Sequence, residues 1–306
     1  MRSVRNTRIF ARLSGQGTQF LVYEMEFSSE AENAMILPLP VLTPAAEDAV
    51  RFIDFKDNGG FFEALDAGFP VKPSFSLSRS KGASAAVAAA APLPVEEVGD
   101  YVASFVPAMK DFDRLDPRFR IAPEIWAKIP SYADYGFAVF QLKSREGRPH
   151  PMAFELKTRM PDKIFFPTVH IHDGEVHPTE SFDHALYLQD ASFDAVAGDY
   201  EDRDAVDWST GFVRSDRPAS AFAAVNESRG VVAADLLVHR RDLRGELPNV
   251  DQIHGFAQAS IVPQRLVNEL ERPATRWGLG GGAALIGTAA LGWVIARRRK
   301  LAKGSA

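Results

Sequence analysis

Cysteine is absent from the 306 residues of the chain. This absence excludes disulfide bonds, thiolate metal ligands and cysteine nucleophiles. The sequence also lacks a G-x-S-x-G nucleophile elbow, a Walker A phosphate loop and an H-E-x-x-H zinc motif. No established catalytic signature therefore assigns the chain to a class of enzyme.

A concentrated basic face is missing as well. The chain carries a formal net charge of −5, and five of its basic residues lie within the last ten positions, 297–306. Residues 1–296 therefore carry −10. An acidic body with a short basic tail gives no reason to expect nucleic-acid binding, and we predict no nucleic-acid partner.

The remaining composition is that of a folded protein, with 46% hydrophobic and 25% charged residues. Residues 1–272 are predicted to form a soluble, β-rich body of the α+β class, built of mostly antiparallel strands and hairpins with short helices. TRIFARL (7–13) and TQFLVYEMEF (18–27) flank SGQG and predict a hairpin, since apolar residues of the second run alternate with a period of two.

Other segments of the body are predicted more coarsely. AMILPLPV (34–41) contains two prolines and is typical of an edge strand or an extended segment. AEDAVRFIDF (46–55) and GGFFEALDAGFP (59–70) are predicted to form short helices. The Ala/Pro-rich segment 79–94 contains few large side chains, which indicates a surface loop or linker.

An uncharged run of 20 residues, WGLGGGAALIGTAALGWVIA (277–296), lies near the C-terminus. At about 1.5 Å per residue a helix of this length spans roughly 30 Å, the hydrocarbon thickness of a bilayer. Tryptophans lie near both ends, and the basic tail 297–306 begins directly afterwards with RRRK. We therefore predict a single-pass transmembrane helix, with a buried Gly/Ala-rich core helix as the alternative.

Two further expectations concern this segment. The glycines Gly278, Gly282 and Gly287 stand at or near small-xxx-small spacing, which predicts a homo-oligomer formed through the helix. No apolar signal sequence follows the N-terminal arginines, which favours a cytoplasmic body, whereas the basic tail favours an exported one. The cytoplasmic body is the interpretation adopted here, and the exported body stays open.

Several stretches of the chain resemble a family of uncharacterised bacterial proteins. They are VYEMEF and NAMILPLP, then VGDYVASFVPAMKDFDRL, IPSYADYGFAVFQLK and PMAFELKTRMPDKIFFP, and together they cover about residues 8–190. The family is a domain of unknown function, often exported and often followed by a C-terminal hydrophobic anchor. The resemblance implies an anchored protein, and it implies no reaction.

One stretch suggests chemistry. TVHIHDGEVHP (168–178) holds three of the seven histidines around an Asp-Gly pair, the strongest short signal for a two-residue hairpin turn. In such a hairpin one face carries His170, His172, Glu175 and His177, and the other face carries Val169, Ile171 and Val176. Three imidazoles and a carboxylate at this spacing can bind a divalent metal ion such as zinc, with His184 as a further ligand.

Three interpretations of this hairpin stay open. The histidines can form an ordinary polar face, a metal site, or an acid-sensing cluster. The sequence therefore supports two functions: a membrane-anchored binding or assembly module of unknown ligand, and, as the alternative, a metal-dependent hydrolase that uses the histidine cluster.

Overall fold

The structure is a computed structural model, and it describes residues 3–28, 33–70, 95–99, 101–115, 129–142, 146–171, 175–200, 206–255 and 262–265. The predicted loop 79–94, the transmembrane segment 277–296 and the basic tail 297–306 lie outside these ranges. Residues up to Gln264 belong to one compact unit, and a second unit begins at Arg265. Within the described residues no helix is long and apolar enough to cross a membrane.

Strands dominate the described chain. They are β1 (Ser3–Leu13), β2 (Thr18–Ser28), β3 (Asn33–Leu39), β4 (Val50–Ile53), β5 (Val95–Val98), β6 (Tyr101–Val106), β7 (Gly136–Leu142), β8 (Glu146–Gly147), β9 (Met152–Lys157), β10 (Lys163–Phe166), β11 (Thr179–Leu188), β12 (Gly198–Asp199), β13 (Val206–Asp207), β14 (Val213–Arg214), β15 (His239–Pro248), β16 (Gln252–Gly255) and β17 (Gln264–Arg265).

Helical structure is sparse. The one described α-helix is α1 (Phe61–Asp66), and short 3-10 turns cover Met109–Arg114, Pro130–Tyr132, Ala191–Phe193, Ala219–Ala221 and Val225–Ser228. The predicted β-rich class with mostly antiparallel strands and few helices is confirmed for the described part of the chain.

The larger sheet of the described chain has nine strands. Its order is β12-β14-β15-β11-β1-β2-β9-β4, with β8 pairing beside β2. The β1–β2 hairpin predicted from the sequence is confirmed, and it is antiparallel with Ile9 opposite Tyr23. β1 also pairs in parallel with β11, and its register shifts between Arg5 and Arg8. The first strand of the chain is therefore an interior strand of the sheet.

A second sheet of four strands has the order β3-β7-β6-β5. β3 lies at its edge, which confirms the interpretation of the proline-containing segment. Pro38 is opposite Phe137 of β7. Because a proline has no backbone N–H to donate, an edge position is the one a sheet tolerates.

One of the two predicted short helices is present and the other is wrong. Residues 61–66 form α1, which buries Phe61, Phe62 and Leu65. Residues 50–53 instead form β4, the edge strand beside β9, with Phe52 opposite Phe154. The mixed spacing of apolar residues in the segment 46–55 is compatible with a helix or a strand. Residues 50–53 form a strand because they pair with β9.

The core lies between the sheets and on both faces of the nine-stranded sheet. The largest set of buried side chains includes Ile9, Leu21, Phe140 and Phe154. A separate set packs α1 onto the other face of β1 and β2. A third set is centred on Phe137 and Phe165, beside the two-stranded pair β10–β16. The segment after β10 passes from this third set towards β11, where the predicted histidine site lies.

Candidate functional site

The structure brings together two of the five predicted site residues. The Nε2 atoms of His170 and His184 are 2.8 Å apart, within hydrogen-bond distance. His184 lies in β11, and His170 lies in the segment that follows β10. Two histidines 14 residues apart in sequence therefore present the same ring nitrogen to each other.

The pair is buried. His170 is 9% exposed and His184 is 1% exposed. The ring of Phe182 stacks on His170, with 4.9 Å between centroids and 23° between planes, and it lies 5.1 Å from the ring of His184. The Phe182 ring therefore limits the access of water to the two imidazoles.

The predicted hairpin is wrong in the described residues on either side of its turn. Residues 167–171 and 175–178 form no strand. The side chain of Asn249 binds the backbone here instead: its Oδ1 accepts from the His170 N–H at 2.8 Å, and its Nδ2 donates to the carbonyls of His170 at 2.9 Å and His177 at 3.1 Å. Backbone groups held by an asparagine are not available for a ladder of strand hydrogen bonds.

A half-buried carboxylate, that of Asp251, holds the start of the same segment. Asp251 accepts hydrogen bonds from the backbone N–H groups of Thr168 at 2.9 Å and Val169 at 3.2 Å, and from the Tyr132 hydroxyl at 2.7 Å. Burial raises the pKa of Asp251 to about 6, and these three donors oppose the shift. The segment is thus fixed by two polar side chains, Asn249 and Asp251, from the short connection between β15 and β16.

A different carboxylate, that of Asp183, lies next to His184. The Oδ1 of Asp183 is 3.7 Å from His184 Nδ1, and its Oδ2 accepts from the backbone N–H of Asn6 at 2.6 Å. Asn6 has a φ of 52° and lies in the register shift of β1. A register shift changes the direction of the backbone groups at that point of a strand. Here it turns the N–H of Asn6 towards the Asp183 carboxylate.

The other predicted site residues do not join the pair in the described structure. The side chains of Glu175 and His177 are exposed, and His172 lies outside the described residues. Within the described residues no group of three or more histidines and carboxylates could hold a metal ion. The predicted apolar face is confirmed: Val169, Ile171 and Val176 pack against the third set of core residues.

Sequence reasoning missed the densest group of charges. Glu24 of β2, 1% exposed, accepts hydrogen bonds from the guanidinium groups of Arg8 and Arg148, and both arginines also contact Glu63 of α1. Burial raises the pKa of Glu24 to about 8, and Arg8 opposes this shift. Arg8 and Glu24 are opposite each other in β1 and β2, so the register of the predicted hairpin contained the signal for this pair.

The comparisons with known proteins identify no family. No protein-family model matches the sequence, and no curated protein matches it. The resemblance to the uncharacterised bacterial family therefore stays a prediction.

Solved structures of baculovirus P35 are among those with a distantly similar fold. Baculovirus P35 is 13% identical over 83% of this chain and 96% of that chain, with a TM-score of 0.42. A mutated baculovirus P35 after caspase cleavage is 14% identical over 82% and 99%, with a TM-score of 0.43. P35 in the caspase-8/P35 complex is 15% identical over 82% and 96%, with a TM-score of 0.40. At these values the similarity transfers no activity or partner to this chain.

Proposed function

We propose that the chain is a membrane-attached binding module, with its β-rich body on the cytoplasmic side. One observation carries the attachment: the uncharged run 277–296 is long enough to cross a bilayer and is followed at once by RRRK. A charge-free run of this length, with tryptophans near its ends, is typical of a membrane anchor.

The rigidity of the described body is the feature that suits a binding role. Its two carboxylates with raised pKa values, Glu24 and Asp251, are held by hydrogen bonds from arginine, tyrosine and backbone groups. These contacts fasten α1 and the segment 168–171 to the body, which is a structural use of the two groups. Loops carried on a rigid sheet are the usual place for recognition.

The attachment is tested by membrane fractionation of the full chain. Wild type is expected to remain with the membrane after an alkaline wash, and a Leu285→Arg/Leu291→Arg double variant is expected to wash off. Each arginine near the middle of a membrane helix costs about 3 kcal/mol. Leu285→Ile/Leu291→Ile is the matched control. Wild type in the soluble fraction, or an arginine variant that stays with the membrane, contradicts the proposal.

The side of the membrane can be tested because the chain has no cysteine. Asn226, exposed on the 3-10 turn Val225–Ser228, is replaced by cysteine as the single thiol. In intact cells a membrane-impermeant maleimide is expected to leave this thiol unlabelled, and to label it once the cells are opened. Labelling in intact cells would place the body outside.

A metal-dependent hydrolase is the second candidate, and the approach of His170 to His184 favours it. Such an enzyme needs a bound metal ion with one position open for water. The test is zinc-dependent hydrolysis of an activated ester by the full chain. Hydrolysis is expected to fall to background in His170→Gln and to persist in His239→Gln, and equal rates in the two variants contradict this candidate.

A further inference from the structure

Two arginines share one buried carboxylate on the face of the nine-stranded sheet that α1 covers. The group consists of Glu24 of β2, Arg8 of β1, Glu63 of α1 and Arg148, which follows β8, and we call it the Glu24 cluster. We infer that a proton and the Arg148 guanidinium compete for the Glu24 carboxylate, so that acidification frees Arg148 and loosens β8. Such a switch lies within the described body and does not depend on the membrane attachment.

The contacts of the Glu24 cluster form a square of alternating charge. Oε2 of Glu24 accepts hydrogen bonds from Arg8 Nε at 2.8 Å and from Arg148 Nη2 at 2.8 Å. The Nη2 atoms of both arginines also donate to Oε1 of Glu63, from Arg8 at 2.9 Å. The two like charges are therefore kept close together by the two carboxylates between them.

The ionisable groups that face Glu24 from the described residues come from three places. They are Arg8 in β1, Arg148 after β8, and Glu63 and Asp66 in α1. Asp66 meets the cluster through Arg8, with 3.5 Å between its Oδ2 and Arg8 Nη1. The side chain of Glu63 is 51% exposed and that of Asp66 is 40% exposed, so water screens both charges. Glu24 is therefore the one carboxylate of the four-residue cluster that water does not screen.

Protonation of Glu24 removes one of the two negative charges between the arginines. A neutral carboxyl accepts a weaker hydrogen bond from a guanidinium than a carboxylate does, because charge-assisted bonds are the stronger kind. Two like charges then remain close together with the exposed Glu63 shared between them, and their repulsion is strong where little water reaches. The cluster relieves this repulsion when one arginine moves into water.

Arg148 is the arginine that can leave. Its side chain is 35% exposed, whereas that of Arg8 is 14% exposed and lies over an aromatic ring of α1 at 4.9 Å. In the described residues β8 pairs with β2 through two residue pairs, so the loss of the Arg148 contact affects β8 directly. Further along, the carbonyl of His150 accepts a hydrogen bond from the Tyr101 hydroxyl, which keeps that end of the connection in place. The loosened part is therefore 146–149.

Burial of Glu24 favours the proton. The side chain is 1% exposed, and burial raises its pKa to about 8 although the charge of Arg8 opposes this shift. In the unfolded chain the pKa is near 4.5, so the proton on Glu24 stabilises the folded chain fully below about pH 4.5, and this contribution is lost as the pH rises through 8. Acidification therefore loosens Arg148 and leaves the body folded. Because Arg148 prefers the ionised carboxylate, its contact should weaken by up to about tenfold per pH unit below pH 8.

The experiment is hydrogen exchange of the full chain in detergent between about pH 6 and about pH 9.5, with each rate compared to the intrinsic rate at the same pH. The β8 amides of wild type are expected to lose protection by up to about tenfold per pH unit below pH 8, and to keep it above that value. In Glu24→Gln their protection should be low at every pH. Glu155→Gln is the matched control and should behave as wild type, because Glu155 also binds an arginine, Arg51, and also lies beside β2. His150 is present in all three proteins, so its protonation cannot account for a difference between them.

A measurement on wild type alone covers the case in which Glu24→Gln does not fold. The ¹³C resonance of the Glu24 carboxyl and the ¹⁵N resonance of Arg148 Nε are expected to titrate together with one midpoint near pH 8, while those of Glu155 and Arg51 stay constant. A Glu24 carboxyl without a titration in this range, an Arg148 resonance that does not follow it, or β8 protection that is independent of pH would each overturn the inference. A folded Glu24→Gln that keeps the wild-type pH dependence would overturn it as well.

Discussion

At the scale of single residues, the histidines are mostly part of the interior. Five of the seven are buried in the described structure: His150, His170, His184, His239 and His254. Strand periodicity assigned His170 correctly to the face opposite Val169 and Ile171. It could not show that β11 covers this face. An alternating pattern of apolar residues describes a single segment, whereas the burial of a side chain depends on which other segments pack against it.

His254 gives the clearest pH-dependent prediction. Its ring lies between Phe166 and Phe212, and burial, followed by the charge of Arg241, lowers its pKa to about 3. In the unfolded chain a histidine takes up a proton near pH 6.5, and in the folded chain His254 does so only near pH 3. Its contribution to stability is therefore present above pH 6.5 and is lost as the pH falls towards 3.

Replacing His254 with leucine is expected to flatten this dependence. The free energy of unfolding of wild type, measured with urea, should fall by about 1.4 kcal/mol more per pH unit between pH 6 and 4 than that of His254→Leu. Carboxylates titrate in both proteins, so the comparison isolates the histidine. Parallel curves for the two proteins would show that His254 takes up its proton in the folded state.

At the scale of elements, the segment 168–178 shows the limit of a local signal. Asp173-Gly174 is a strong hairpin signal, yet the described residues on both sides are bound by Asn249 and Asp251. These side chains lie some 80 residues further along the chain, and only the tertiary fold brings them to the segment. The β1–β2 hairpin was predictable because its turn and both of its strands are contiguous.

Asn249→Ala is expected to loosen this segment. The variant loses three hydrogen bonds to the backbone of His170 and His177, which should lower the free energy of unfolding by about 2–3 kcal/mol. Hydrogen exchange should accelerate most at residues 168–171. Asn226→Ala, at an exposed position, is the control and should change stability by less than about 0.5 kcal/mol. Equal effects of the two substitutions would refute the role of Asn249.

Alanine substitutions at two glycines with positive φ distinguish the cost of backbone strain from the added cost of steric overlap. Gly99 (φ 58°) lies directly after β5, and a Cβ there would overlap the His150 ring and meet Lys56 Cβ at 2.9 Å. Gly17 (φ 76°) has nothing within 4 Å of its Cβ position. Urea unfolding should show a loss of about 1 kcal/mol for Gly17→Ala and a larger loss for Gly99→Ala. A smaller loss at Gly99 would mean that His150 and Lys56 move aside easily.

At the scale of the whole molecule, the class of the fold was predictable and its strand order was not. Alternation and turn residues indicate strands along most of the body. The parallel pair β1–β11 and the division of β7 and β9 between two sheets depend on contacts between distant segments. The burial of the Arg8–Glu24 pair also depends on distant segments, because α1 packs over this face of β1 and β2.

Self-association through 277–296 is the prediction at this scale. In a membrane helix, Gly278 and Gly282 lie on one face, where small residues let two helices approach closely. Gly278→Leu/Gly282→Leu should abolish the dimer of the full chain in cross-linking experiments in membranes. Gly280→Leu, on the opposite face, should leave it intact. Dimers that survive the double substitution would show that another surface of the chain forms them.

The interior position of β1 also sets the order of events during synthesis. β1 is translated before its neighbour β11, which ends at residue 188, and before the next strand, β15, which ends at residue 248. Until the ribosome has released those residues, the nascent β1–β2 hairpin keeps an unpaired edge, which is a template for aggregation. The body therefore completes its sheet late in translation, and its yield in cells should depend on chaperones that shield that edge.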